Sequence, residues 1–185
     1  MRNTSQSFTQ LPGSVIASPR GKVRRIIGID PGLANTGFGI VDFENGRYRM
    51  VSYGCITTKA DLSHSERLLT IYSKLQAVIQ EFRPDQSCME ALFFVKNVTS
   101  GISVAEAKGV VTLCLAQNAI PVDEYKPNQI KKAVTGSANA DKDLVERYVQ
   151  LLLNLKKKPN PDHASDALAC AICHIHTTLK RANAL

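Results

Sequence analysis

Three segments near the start of the chain combine apolar, β-branched and aromatic residues and end at turn residues, which is the pattern of β-strands. They are RRIIGID, TGFGIVDFE and RYRMVSYGCITT. Asn45 and Gly46 lie between the second and the third, and this dipeptide is a strong signal for a tight hairpin turn. The pattern therefore predicts an antiparallel meander of three strands.

The remaining apolar positions switch mostly to helical spacing. SERLLTIYSKLQAVIQEF predicts a helix that ends before Pro84, DQSCMEALF a short strand, TSGISVAEAKGVVTLCLAQNA an Ala-rich helix, and IPVDEY a further strand. PNQIKKAVTGSANADKDLVERYVQLLLNL predicts a short basic helix, a polar loop and a longer helix, and PDHASDALACAICHIHTTL a last helix with Asp162 as its cap. The expected order is β-β-β-α-β-α-β followed by helices, an α/β domain without repeats.

The chain has 185 residues, of which 44% are hydrophobic, so we expect one domain with a substantial core. Residues 1–24 contain no Asp or Glu and are rich in Ser, Thr and basic residues, a composition that favours a flexible tail. A DNA-binding arm, an artefact and a transit peptide all fit such a tail. The expected organisation is a tail over 1–24, a globular domain over 25–180 and a short C-terminal tail over 181–185.

Charge and cysteine content narrow the function classes. Lys and Arg outnumber Asp and Glu by 23 to 16, which suits a polyanionic partner such as nucleic acid and equally suits a soluble basic protein. The five cysteines lie mostly in apolar runs, which favours buried thiols in a reducing compartment. No apolar run approaches the ~20 residues that span a bilayer. We expect a soluble cytoplasmic protein.

The segment from Cys170 to His174, CAICH, fits the pattern of haem attachment, and His176 follows it closely. However, this segment continues the apolar helix that contains Asp166, and no second cysteine pair completes a zinc site. We interpret the two cysteines as buried thiols and expect no haem.

Three acidic residues occupy the ends or interiors of apolar elements: Asp30 after the first strand, Glu90 in the fourth, and Asp166 on the last helix. His163 precedes Asp166 by one helical turn, so the two side chains share a face. Carboxylates with one imidazole suit Mg²⁺ or Mn²⁺, and two such ions about 3.5–4 Å apart catalyse phosphodiester hydrolysis. Taken singly, each is better explained by an ordinary role: Asp30 as a turn cap, Glu90 in an ion pair and Asp166 as a solvated residue.

Five segments together carry a resemblance to a known family. IIGIDPGLANTGFGIVD, SCMEALFFVKN, AEAKGVV, EYKPNQIKKAVTGSANADK and PNPDHASDALACAICHIH resemble, in order and spacing, the RuvC family of Holliday-junction resolvases. The resemblance spans roughly residues 25 to 178. The GIDPG element alone does not suffice, because actin-like ATPases and sugar kinases begin with a similar turn.

This resemblance implies a ribonuclease H-like fold, with a five-stranded mixed sheet flanked by helices, and a homodimer. It implies a structure-selective endonuclease that resolves four-way DNA junctions in recombination and repair by paired symmetric nicks and leaves 5′-phosphates. The family's metal and catalytic residues carry over onto Asp30, Glu90, His163 and Asp166, which implies two Mg²⁺ ions per subunit with Mn²⁺ able to substitute. The third position is Asp in some members and His in others, and Asp162 is a possible extra ligand.

The same resemblance implies residues that contact DNA. Phe93 matches a position that stacks on DNA at the crossover, Lys96 lies beside it, and Lys131 and Lys142 match lysines that contact DNA. A core position for Phe93 and solvated positions for the lysines remain open. Expected partners are the four-way junction, a second copy bound through the helix around Val104 to Leu115, and a branch-migration helicase complex of the RuvA–RuvB type.

Three other functions compete with this interpretation. In an actin-like ATPase or kinase, the loop from Gly32 to Gly39 would bind phosphates, but those proteins need two lobes and a second phosphate loop. A non-catalytic junction-binding module is disfavoured by the intact carboxylates. A related nuclease with another DNA or RNA substrate is the strongest rival.

Overall fold

The computed structural model describes residues 24–92 and 98–184, which form one five-stranded sheet flanked by five helices. In chain order the elements are β1 (Arg24–Asp30), β2 (Asn35–Glu44), β3 (Arg47–Thr57), α1 (His64–Phe82), β4 (Gln86–Glu90), α2 (Val98–Gln117), β5 (Val122–Tyr125), α3 (Pro127–Thr135), α4 (Lys142–Leu152) and α5 (Asp162–Asn183). The predicted order of strands and helices is confirmed.

The strands lie in the order β3-β2-β1-β4-β5. β1, β2 and β3 pair antiparallel, whereas β4 and β5 join parallel to β1, so the sheet is mixed as the resemblance implies. Asn45 and Gly46 have φ values of 50° and 78°, the positive values that a tight hairpin turn of this type requires. The meander and its turn therefore form as predicted.

The two faces of the sheet carry two separate cores. In β1, Ile26 packs against the side covered by α3, α4 and α5, while Ile27 and Ile29 pack against the side covered by α1 and α2. In β4, Cys88 belongs to the first core and Met89 to the second. Because side chains alternate along a strand, Asp30 and Glu90 fall on the face that α5 covers.

Two glycines allow α5 to lie directly on the sheet. A Cβ atom on Gly28 would lie 2.0 Å from the carbonyl oxygen of Ala167, and one on Gly37 would lie 2.0 Å from the carbonyl oxygen of His163. No side chain fits at such distances. The small size of these residues thus sets how closely the first turns of α5 approach β1 and β2.

The beginning and end of α5 differ from the expectation. Its N-cap is Pro161, and Asp162 is the first helical residue, so the predicted cap role of Asp162 is wrong. Because Asp162 lies in the first turn, its negative charge still interacts favourably with the positive end of the helix dipole. The helix continues to Asn183 and so includes residues 181–183, which the sequence assigned to a tail. The N-terminal residues 1–23 lie outside the described residues.

The CAICH segment is part of the core, which confirms its cysteines as buried thiols: Cys170 and Cys173 are each 1% exposed. The Tyr125 hydroxyl donates to Nδ1 of His174, and Nε2 of His174 donates to Oε1 of Gln86. Burial lowers the pKa of His174, which fits a neutral ring between these partners. Within residues 24–92 and 98–184, no helix is both long and apolar enough to cross a membrane.

Candidate active site

Asp30 and Glu90 mark the C-terminal ends of the neighbouring parallel strands β1 and β4. The register pairs Ile29 with Met89, one residue before each carboxylate. Since both strands end at the same edge and both acidic residues belong to the α5 face, the two carboxylates converge at one corner of the sheet. The local sequence explains the position of Asp30, because Pro31 cannot donate to a sheet ladder and ends the strand.

Helix α5 brings His163 and Asp166 to this corner. Nδ1 of His163 donates a hydrogen bond to Oδ2 of Asp30 over 2.6 Å. Gly37 of β2 pairs with Asp30 in the sheet. The backbone of His163 also packs directly against Gly37. This hydrogen bond is a direct contact between the end of β1 and the first turn of α5.

Lys142 at the start of α4 lies in the same corner. Its Nζ atom is 3.0 Å from Oδ2 of Asp162 and 3.4 Å from Oδ2 of Asp166. The side chain of Asp141 accepts from the backbone N–H of Leu144 and so caps α4, which fixes the turn that presents the lysine. The residue expected to contact DNA thus forms ion pairs with two carboxylates beside the site.

The acidic groups influence one another. Burial is the main cause that raises the pKa of Glu90, and Asp30 and Asp166 raise it further, while Lys131 on α3 opposes them. Burial also raises the pKa of Asp166, against the effect of Lys142. Partly desolvated carboxylates that repel one another favour any cation that enters between them.

In the part of the chain that the structure describes, no three His, Cys, Asp or Glu side chains converge closely enough to hold a metal ion by themselves. His163 hydrogen-bonds to Asp30, and Lys142 neutralises Asp166 in part. The donor set nevertheless fits a hard divalent cation, because it consists of carboxylate oxygens with one imidazole. The four side chains thus lie at one corner of the sheet, but they do not surround a common metal position in this structure.

Sequence reasoning missed two features of this corner. The sequence gives only a weak indication of the close approach of α5 at Gly28 and Gly37. Gly28 precedes Asp30 by two residues, so both lie on the same face of β1. The ion pairs of Lys142 have no signal in the sequence, because they depend on how α4 packs beside α5. Lys131 is half-buried on α3, while Phe93 and Lys96 lie outside the described residues.

A mixed sheet of this order, with carboxylates at the ends of β1 and β4 and another on a helix packed across them, defines a ribonuclease H-like nuclease. The family model for "Crossover junction endodeoxyribonuclease RuvC" matches residues 26–174. A protein of that name from Treponema denticola is 54% identical over 82% of this chain and 85% of its own length. Another from Chloroflexus aurantiacus is 50% identical over 85% of this chain and 97% of its own. The structure of Thermus thermophilus RuvC with a Holliday junction substrate superposes with a TM-score of 0.82 at 30% identity, covering 85% of this chain and 96% of that one.

The chain belongs to the RuvC family of crossover junction endodeoxyribonucleases. It is an endonuclease that resolves four-way DNA junctions in recombination and repair, in a family whose cleavage depends on divalent metal. The resemblance and the fold class deduced from the sequence are confirmed. The ATPase and the non-catalytic module are excluded as alternatives.

Proposed function

We propose that Asp30, Glu90, His163 and Asp166 hold two Mg²⁺ ions, for which Mn²⁺ can substitute, and that each subunit hydrolyses one strand of the junction to leave a 5′-phosphate. The observation that carries this proposal is the convergence of Asp30, Glu90 and Asp166 at one corner, where Glu90 and Asp166 both have a raised pKa. Bound divalent ions would activate the attacking water and neutralise the phosphate oxyanion.

The chain's own residues have distinct parts in this proposal. Asp30 is central, because it hydrogen-bonds to His163 and its charge raises the pKa of both Glu90 and Asp166. His163 orients the Asp30 carboxylate through Nδ1–H, which leaves Nε2 as its second nitrogen for ligation. Lys142 holds Asp166 until a stronger cation competes for that carboxylate.

Comparing four-way junctions with duplex, flap and RNA–DNA hybrid substrates, each with Mg²⁺ and Mn²⁺, tests the substrate and the metal together. We expect paired nicks at symmetric positions on the junction with either ion. Equal cleavage of plain duplex, or cleavage without divalent metal, contradicts the proposal.

For DNA binding we propose Lys131 and Lys142, with Phe93 and Lys96 from the segment outside the described residues. Lys142 supports this because its Nζ atom lies 3.4 Å from Oδ2 of Asp166. Lys131 on α3 lowers the pKa of Glu90, so its positive charge also acts on the site. Contact of Lys142 with DNA requires it to exchange Asp162 and Asp166 for a phosphate oxygen.

We propose that the protein acts as a homodimer through α2, because two symmetric nicks need two sites related by a two-fold axis. One face of this helix packs on the sheet, while Ile102 and Leu113, eleven residues apart and so on one stripe, are each 55% exposed. The exposed residues Ala105, Gly109 and Ala116 lie on the same stripe and allow close approach of a second helix. Such an apolar stripe is suited to association between copies.

Replacing Leu113 with Asp should convert the dimer to a monomer, because the charge would have to be desolvated in the interface. The measurement is the mass in solution by light scattering, together with the fraction of junctions nicked on both strands. Leu151→Asp on α4 is the matched control, since Leu151 is 73% exposed and lies on another helix. A dimer that persists in Leu113→Asp and Ile102→Asp contradicts the assignment of α2.

The proposed ligand role of His163 can be tested by replacing it with Asp, the other residue found at this position in the family. We expect His163→Asp to retain cleavage, because it supplies another oxygen ligand. His163→Ala removes both the ligand and the hydrogen bond to Asp30, so its loss should exceed the roughly 10–100-fold typical of removing an outer partner of a metal ligand. Cleavage rates are measured over a range of Mg²⁺ and Mn²⁺ concentrations.

Asp162→Ala is the comparison variant for this series. Asp162 is 70% exposed and pairs with Lys142, so its removal should have a smaller effect than His163→Ala. Near-normal cleavage by His163→Ala, with loss in Asp162→Ala, would transfer the ligand role to Asp162.

We further propose a cytoplasmic protein whose nuclease domain extends from β1 to the end of α5 and follows a basic tail. We propose that it acts with a branch-migration helicase complex of the RuvA–RuvB type. These proposals rest on composition and on family resemblance. Co-purification with such a complex on a junction substrate tests the partner.

A further inference from the structure

The loop between α4 and α5 carries three consecutive lysines, Lys156, Lys157 and Lys158. It leads directly into the helix that presents His163 and Asp166 to the active corner. The loop therefore lies at the same end of the sheet as the proposed metal site, and none of the roles described above uses its charge.

The structure holds this loop firmly on α4. The backbone N–H of Leu155 donates to the carbonyl of Gln150 over 2.9 Å, and Nε2 of Gln150 donates back to the carbonyl of Leu155 over 3.2 Å. Pro159 is buried on the other side of the lysines. The three lysines are thus presented from a fixed segment, anchored before and after them.

Lys158 forms ion pairs within the protein. Its Nζ atom contacts Oδ1 of Asp143 and, at 3.3 Å, Oε2 of Glu146, both on α4. Arg147 also pairs with Asp143, at 2.9 Å. These contacts fasten the loop and neutralise two carboxylates that would otherwise repel a DNA strand beside the site.

Lys156 and Lys157 differ from their neighbour. Both are exposed, and among the residues that the structure describes neither has a carboxylate within ion-pair distance. Lys142, another basic residue at this end, is occupied by Asp162 and Asp166. Lys156 and Lys157 are therefore a surplus of positive charge on the anchored loop that leads into α5.

Their distance from the site has an upper bound set by the chain. His163 lies six positions after Lys157. A fully extended chain spans at most about 3.3–3.6 Å per residue, so their Cα atoms are at most roughly 20 Å apart. Phosphates follow one another every ~3.4 Å of helix axis along one DNA strand. This upper bound corresponds to about six nucleotides of one DNA strand.

We propose that Lys156 and Lys157 form a phosphate-binding site for the backbone of the junction arm next to the cleaved bond. The site takes DNA because the enzyme's substrate is a polyanion and these lysines precede the helix that carries His163 and Asp166. This inference rests on the proposed location of the active site. It adds two contacts that hold the arm in place outside the region of hydrolysis.

Replacing both lysines with Gln tests the proposal through the salt dependence of junction binding. Each lost phosphate contact lowers the log–log slope by about one unit, so Lys156→Gln/Lys157→Gln should reduce it by about two. The control is Lys74→Gln/Lys180→Gln, which removes the same charge from exposed positions on α1 and near the end of α5. An equal reduction in both double variants would mean that only net charge matters, and would overturn the proposal.

A second measurement locates the contact on the DNA. Junctions with a neutral methylphosphonate at single positions up to about six nucleotides from the cleaved bond should lose affinity for the wild type at one or two positions. The lysine double variant should be insensitive at those same positions. If no position behaves in this way, the lysines do not bind this arm and the proposal is overturned. Failure of the wild type to cleave junctions would instead overturn the function itself.

Discussion

Asp30→Asn, Glu90→Gln and Asp166→Asn should each lose cleavage by about a thousandfold or more while still binding four-way junctions. Each substitution removes one negative charge from the group that would hold the metal ions, whose electrostatic stabilisation of the transition state amounts to several kcal/mol, with 1.36 kcal/mol for each factor of ten. Binding should persist because affinity comes mainly from basic residues on phosphates. Single-turnover cleavage and equilibrium binding of the same junction separate the two effects.

Glu81→Gln is the matched control, because Glu81 is exposed and lies near the end of α1. The carbonyl of the next residue, Phe82, accepts a hydrogen bond from Arg25, which lies at the end of β1 opposite to Asp30. A second readout needs no cleavage: Mg²⁺ should raise the melting temperature of the wild type and of Glu81→Gln more than that of the three variants. Normal cutting by any of the three would remove that residue from the metal site.

Gly37→Ala should impair both stability and cleavage. Its Cβ would meet the backbone carbonyl of His163 at 2.0 Å, and a backbone atom cannot move aside without shifting the first turn of α5. Overpacking of this kind costs about 1–3 kcal/mol, and a displacement of about 1 Å at catalytic groups can cost a hundredfold in rate. Thermal unfolding and the cleavage rate at saturating metal measure the two losses.

Gly54→Ala on the neighbouring strand is the control for this effect. A Cβ at Gly54 would meet only the ring of Phe38, at 3.0 Å, and a side chain can rotate by a few tenths of an ångström. Gly28→Ala should resemble Gly37→Ala, since its Cβ would meet the carbonyl of Ala167 at 2.0 Å. If Gly37→Ala cleaves like Gly54→Ala, the close approach of α5 is not needed for the geometry of the site.

The features that the sequence predicted correctly are those with local causes. The hairpin at Asn45 and Gly46 depends on two residues that tolerate positive φ, and the end of α1 depends on Pro84. The start of α1 was placed one residue late, at Ser65, although Ser63 and Glu66 form the capping box that begins the helix. Local patterns thus predicted which elements form, with errors of one to four residues at the helix ends.

The location of the proposed active site could be predicted only from the resemblance to the RuvC family. Asp30 and His163 are 133 positions apart, and nothing within either segment indicates that they touch. The cap role assigned to Asp162 failed for a related reason: Pro161 begins the helix, and the side chain of Asp162 turns to Lys142 on another helix. Contacts of this kind depend on how α4 and α5 pack, which no local pattern encodes.

The position of α5 in the chain has a consequence for biosynthesis. The ribosome releases β1, β2 and β4 before the helix that carries His163 and Asp166, and N-terminal segments generally emerge and begin to fold first. Until α5 docks on Gly28 and Gly37, Asp30 lacks its imidazole partner and the sheet face that holds Ile26 and Cys88 is uncovered. With the site as proposed, a nascent or truncated chain that ends before α5 lacks His163 and Asp166, and we expect it to be unable to cut DNA.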